Sequence, residues 1–157
     1  MHENSTGTLS RRKLLAAAAA GSLGAMVISL KPLSADATPD DVKTWLAKTL
    51  PGTYQQGKVT VSAPPIAENG NTVPIGISVD SPMTEQSYVK TIALAADGNP
   101  LPGVAVIHLS PANGQANVNF RIRLAKTQTL TAVALMSDGS LYSTTQLVKV
   151  TIGGCGG

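Results

Sequence analysis

Apolar positions along this chain fall into three regimes. From Leu14 to Leu30 they run almost unbroken and without a charge. From Val42 to Leu50 they recur at helical spacing, as Val42, Trp45, Leu46 and Leu50. From residue 58 onward the period drops to two. The helical segment has clear ends. Thr38 is a cap, Pro39 suits the first helical position, and Asp40 and Asp41 complement the positive end of the helix dipole. Pro51-Gly52 ends it. Trp45 is expected to anchor the helix on the body of the domain.

The remainder reads as strands. Residues 58–62 place Val59 and Val61 on one face, and Ala63-Pro64-Pro65 breaks the run. Glu68-Asn69-Gly70-Asn71 is a turn cluster. Residues 72–80 put Val73, Ile75, Ile77 and Val79 on one face, with Pro74 marking an edge position or a strand start. Residues 88–95 form the next strand, closed by Asp97-Gly98-Asn99-Pro100. Residues 104–109 are apolar on both faces, which predicts a buried strand. After the turn at Pro111-Ala112-Asn113-Gly114, residues 117–124 alternate cleanly. Val118, Phe120, Ile122 and Leu124 point one way, and Asn117, Asn119, Arg121 and Arg123 the other. Residues 130–136 follow, then a hairpin turn at Ser137-Asp138-Gly139-Ser140. The last strand spans 141–152, with Val148, Val150 and Ile152 on one face. The apolar strands 72–80 and 130–136 are assigned to core packing rather than to a partner surface. About seven strands at this spacing predict an all-β, immunoglobulin-like sandwich with a short leading helix. It lacks a cysteine pair for the usual inter-sheet disulfide.

The first regime is not part of that fold. Arg11, Arg12 and Lys13 precede the apolar run, and Ala35-Asp36-Ala37 offers a small-x-small cleavage pattern. Residues 1–37 are therefore expected to be a cleaved signal peptide. The adjacent arginines point to twin-arginine export, although Leu14 and Leu15 stand where that motif prefers Phe and Leu. The run is short, rich in Ala and Gly, and followed by a cleavage site, so no membrane anchor is expected. No cysteine follows it, so no lipid anchor is expected either. The net charge of +3 then misleads, because Arg11, Arg12, Lys13 and Lys31 leave with the signal and residues 38–157 are close to neutral. A nucleic-acid partner, which needs a concentrated basic face, loses its support. The twin-arginine route carries folded proteins, many with a cofactor or a partner. Residues 38–157 offer no cofactor or metal site, so a partner is expected.

Candidate chemistry reduces to one group. Cys155 is the only cysteine, set in Gly153-Gly154-Cys155-Gly156-Gly157. Glycine adds no side chain and accepts almost any backbone angle, so the thiol is expected to be mobile and accessible. Five extended residues span roughly 17 Å. A lone cysteine in an exported chain cannot form an internal disulfide and risks oxidation, which favours a reactive role. Catalysis needs a preorganised base and oxyanion site, and a glycine tail supplies neither. Elsewhere, His108 has no ligand-type neighbours and reads as a locally satisfied strand histidine. Arg121 and Arg123 read as a solvated strand face rather than an anion site. A slim tether carrying covalent cargo is the use that fits. Two rivals remain: an exported binding module that dimerises through a Cys155–Cys155 disulfide, and a thiol oxidoreductase, which would lack a resolving cysteine.

The segment from Ile152 to Gly157 resembles the swinging arm of the SoxY family, the sulfur carriers of the periplasmic sulfur-oxidation system. The resemblance extends to the export signal, the leading helix, the 65–70 and 73–74 stretches, Arg121-Ile122-Arg123-Leu124-Ala125, and Met136-Ser137-Asp138-Gly139. It implies a periplasmic, non-catalytic carrier without a cofactor, in a heterodimer with a SoxZ-like β-sandwich subunit. A SoxAX-like c-type cytochrome would conjugate thiosulfate to Cys155, and a SoxB-like hydrolase would release sulfate. In some systems a sulfane dehydrogenase oxidises the remaining sulfur. The implied tether is Gly153, Gly154, Gly156 and Gly157. Three segments result: a signal at 1–37, a sandwich with its leading helix at 38–152, and a carrier arm at 153–157.

Overall fold

The computed structural model describes residues 36–153. The chain enters through Ala37, which is buried and whose N–H donates to the Asn99 carbonyl at 2.7 Å. Beside it Asp36 pairs with Lys126 at 2.8 Å. Helix α1 (Pro39–Thr49) follows. Thr38 and Asp41 close a reciprocal capping box. The Asp41 N–H donates to Thr38 Oγ1 at 3.2 Å, and the Thr38 N–H donates to the Asp41 carboxylate at 2.9 Å. The Thr38 hydroxyl and backbone hydrogen bonds hold the Asp41 carboxyl below its ordinary value. A depressed folded pKa adds stability that is present above the unfolded value and is lost as pH falls through the folded one. Thr38→Ala, which removes the N-cap, should cost about 1 kcal/mol in urea denaturation. Asp41→Asn should flatten the acid limb of stability below about pH 4; a wild-type acid limb in that variant contradicts the assignment.

Nine strands succeed the helix among the described residues: β1 (Tyr54–Gln56), β2 (Val59–Ser62), β3 (Ile66–Asn69), β4 (Val73–Val79), β5 (Val89–Ala96), β6 (Gly103–His108), β7 (Asn117–Ile122), β8 (Gln128–Met136) and β9 (Leu141–Ile152). They form two sheets. The larger has the order β1-β9-β8-β5-β6, with β3 also pairing β9; the smaller is β2-β4-β7. The predicted sandwich is present, with two strands more than the periodicity gave. Both extra strands are short and pair in parallel with β9. Tyr54–Gln56 lies beside Leu141–Ser143, and Ile66–Asn69 lies beside Lys149–Ile152. Between them the chain crosses to the smaller sheet as β2 and returns through Ala63-Pro64-Pro65. Half of the 68–71 turn cluster is thus strand: Glu68 and Asn69 belong to β3, and only Gly70 and Asn71 turn.

Strand β5 separates two cores. Ile92, Leu94 and Ala96 face the smaller sheet and share a core with Ile75 and Ile77 of β4 and with Leu130 of the neighbouring β8. Ala93 and Ala95 face α1 and join Val42, Leu46 and Leu50. Small residues on the helix side let α1 approach closely. At Gly103 the approach is tighter still, because an added Cβ would strike the Trp45 ring. Trp45 is the helix anchor that its spacing predicted.

One expectation needs correction. Strand β6 is not buried on both faces; it is the edge of the larger sheet, and β5 is the strand covered twice. The inner face of β6 packs on the core, but Val106 lies opposite Ala93 on the helix side, where it remains 42% exposed. Of the two readings of Pro74, the strand start holds: β4 is the middle strand of the smaller sheet, and Pro74 is tolerated at its beginning. Its partner on β7 is Arg121, while pairing with β2 begins only at Gly76.

Candidate functional site

The single-cysteine segment follows the end of β9 in the sequence. This strand pairs with β8 from Leu141 to Val148. Beyond Val148 β8 no longer runs alongside, and other groups take over. The Lys149 N–H donates to the Pro65 carbonyl at 3.0 Å, and the Val150 N–H donates to Thr127 Oγ1 at 3.0 Å. The Gly70 N–H donates to the Ile152 carbonyl at 2.8 Å, and the Gly70 carbonyl accepts from Leu124 N–H at 2.8 Å. The last residues of β9 are therefore tied to β3 and to the segment after β7. Ile152 itself is 67% exposed, so these backbone bonds, rather than side-chain burial, fix its course.

Asn99 organises the neighbouring loop. Its Oδ1 accepts from Ala125 N–H at 3.0 Å and from Gln128 Nε2 at 2.9 Å, and its Nδ2 donates to the Arg123 carbonyl at 2.9 Å. Gln128 is only 3% exposed and is fully engaged. Its Oε1 accepts from Gly98 N–H at 3.0 Å, and its Nε2 also donates to the Lys126 carbonyl. Both ends of the described chain converge here, since Ala37 bonds the Asn99 backbone and Gly153 abuts Ala125. Sequence reasoning read Asp97-Gly98-Asn99-Pro100 only as a turn. The amide pair Asn99 and Gln128 lies 29 positions apart, and no local pattern marks it.

Of the residues singled out from sequence, Gly153 lies at this root. Gly154, Cys155, Gly156 and Gly157 lie outside the described residues, as do Arg11 and Arg12. His108 is on the edge strand β6, with Nδ1 3.1 Å from Thr91 Oγ1, the local partner expected for it. Arg121 and Arg123 have exposed side chains at the end of the smaller sheet nearest the root. They line an open groove between the edges of β6 and β7, together with Leu101 and Phe120. No three His, Cys, Asp or Glu side chains cluster among the described residues. No described helix is long and apolar enough to cross a membrane.

Comparison with known proteins sets this arrangement in a family. The model of sulfur oxidation protein SoxY matches residues 46–155, a span that includes Cys155. Among solved structures, the sulfur carrier protein SoxY from Chlorobium limicola f thiosulfatophilum is 30% identical, with a TM-score of 0.61 over 72% of this chain and 98% of that one. The superoxide reductase (neelaredoxin) from Ignicoccus hospitalis has a TM-score of 0.54 at 19% identity, over 73% of this chain and 94% of that one. A putative superoxide reductase from Thermotoga maritima has the same TM-score at 17% identity, over 62% and 93%. At those identities the likeness is one of fold alone. A search of curated protein sequences returns no match. A family match over more than two thirds of the sequence, a matched carrier of the same fold, and a sandwich whose last strand leads into the cysteine segment agree: the chain belongs to the SoxY family of sulfur oxidation proteins.

Proposed function

We propose that the mature protein is a periplasmic, non-catalytic carrier that holds thiosulfate-derived sulfur on Cys155. Residues 1–37 direct export by the twin-arginine route through Arg11 and Arg12 and are then removed. The observation that carries the reading is the course of β9. A strand tied down to Ile152 ends three positions before the chain's single cysteine, which the sequence sets among glycines. The matched family span, which extends to Cys155, supports it.

The chemistry follows from the thiol. Joining a cysteine thiolate to the outer sulfur of thiosulfate makes one S–S bond and releases two electrons. An oxidant must accept them, and a SoxAX-like c-type cytochrome fits that role. Water then attacks the sulfonate sulfur in a SoxB-like hydrolase. Sulfate leaves and a persulfide remains on Cys155. A sulfane dehydrogenase would oxidise that persulfide in systems that have one. The carrier contributes attachment and a high local concentration of cargo at each enzyme, not bond activation. A SoxZ-like subunit completes the exported unit.

A maleimide-polymer gel shift separates this reading from a disulfide-dimer module. Protein from thiosulfate-grown cells should resist labelling until reduced where it carries the thiosulfonate, take up a label that dithiothreitol removes where it carries the persulfide, and migrate as a monomer without reductant. A covalent dimer as the predominant exported form would contradict the proposal.

A further inference from the structure

Gly153 is a glycine for a different reason from the turn glycines. Gly57, Gly114 and Gly139 have positive φ and open space where a Cβ would stand. At Gly153 a Cβ would fall on the Ala125 carbonyl oxygen, with the Ala125 carbonyl carbon 3.2 Å away. Both are backbone atoms and cannot rotate aside. Nor can the loop easily yield, because Ala125 N–H is held by Asn99 Oδ1, and Asn99 is held by buried Gln128. On its other side Gly153 follows Ile152, whose carbonyl is bonded to Gly70. The residue is seated between a fixed strand and a fixed loop, and only a missing side chain permits the fit.

We propose that Gly153 is the fixed pivot of the cysteine arm, a positioning residue rather than part of the free tether. The arm then swings only from Gly154. Cys155 is two residues from the pivot, so its Cα stays within about 7 Å of Gly153, against about 11 Å from Ile152 if Gly153 were part of the free tether. Any enzyme acting on the thiol must bring its active site down to the rim of the sandwich. That rim is formed by the exposed residues Asn71, Arg123, Lys126 and Ile152. The pivot follows from packing alone; its consequence for partner enzymes rests on the carrier reading above.

Backbone amide relaxation on the mature chain tests the pivot without any partner. The Gly153 order parameter should be close to the value of about 0.85 typical of rigid backbone and drop below about 0.6 from Gly154 onward. Gly153→Ala should displace the strand end from Ala125, so that the drop moves back to Val150 and Ile152, whereas Gly154→Ala leaves it in place. A Gly153 amide as mobile as Gly154, or Gly153→Ala with unchanged order at Ile152, overturns the proposal. For the functional consequence, Gly153→Ala should leave alkylation of Cys155 by iodoacetamide within about twofold of wild type and slow enzymatic loading about tenfold, since misplacing the reacting group is costly. Unchanged loading overturns the short reach. If neither protein is loaded, the carrier reading fails while the relaxation result still decides the pivot.

Discussion

Cys155→Ala abolishes thiosulfate oxidation in cells that depend on this protein, while the folded domain is unaffected. The loss is complete rather than partial because the chain has no second thiol to take over the cargo. Cys155→Ser fails equally, since a hydroxyl forms no bond analogous to a disulfide with thiosulfate sulfur. Neither change touches the cores, which are built from residues between Ala37 and Val148. Thermal melts of both variants therefore superimpose on wild type. Thiosulfate consumption and the melt are measured on the same strains and proteins. A Cys155→Ala strain that still oxidises thiosulfate removes the cysteine from the mechanism.

The second large effect falls on the sandwich. Leu130→Ala empties a fully buried position on β8 that packs in the core between the sheets. Deleting a buried leucine side chain costs about 3 kcal/mol, as lost transfer energy plus the cavity left behind. For a domain of this size that corresponds to a fall in Tm of roughly 12 °C. The site is ringed by strand neighbours that cannot close over it, because β8 is paired on both sides. Below the new Tm, where the sandwich stays folded, Cys155 alkylates at the wild-type rate. A fall of less than about 4 °C would show that the core relaxes around the gap.

The sequence made the elements with local signatures legible. The cap, proline and acidic pair at Thr38–Asp41 marked the helix start, and the period-two runs marked β4 and β9, the latter to the residue. What it hid was non-local. Strands β1 and β3 have three and four residues, too few for a period to register, and their partner β9 lies some eighty positions downstream. Strand β6 shows why apolarity on both faces does not establish burial. Its outer face lies at an edge where α1 covers Gly103 but not Val106. The arm was legible as composition, yet not in its mechanics. Five residues in glycine context looked equivalent, and the closeness of Ala125 to Gly153 carries no mark in the sequence. The Asn99–Gln128 pair that stiffens the root joins the turn after β5 to the start of β8 and had no sequence signature at all.

The central claim is that sulfur cargo is covalently bound to Cys155. Its most direct test is intact-peptide mass spectrometry of the segment containing Cys155, isolated without reductant from cells oxidising thiosulfate. The account predicts thiosulfonate and persulfide forms of that peptide, both removed by dithiothreitol and both absent from cells grown without a reduced sulfur source. A peptide that stays an unmodified thiol throughout turnover would contradict it.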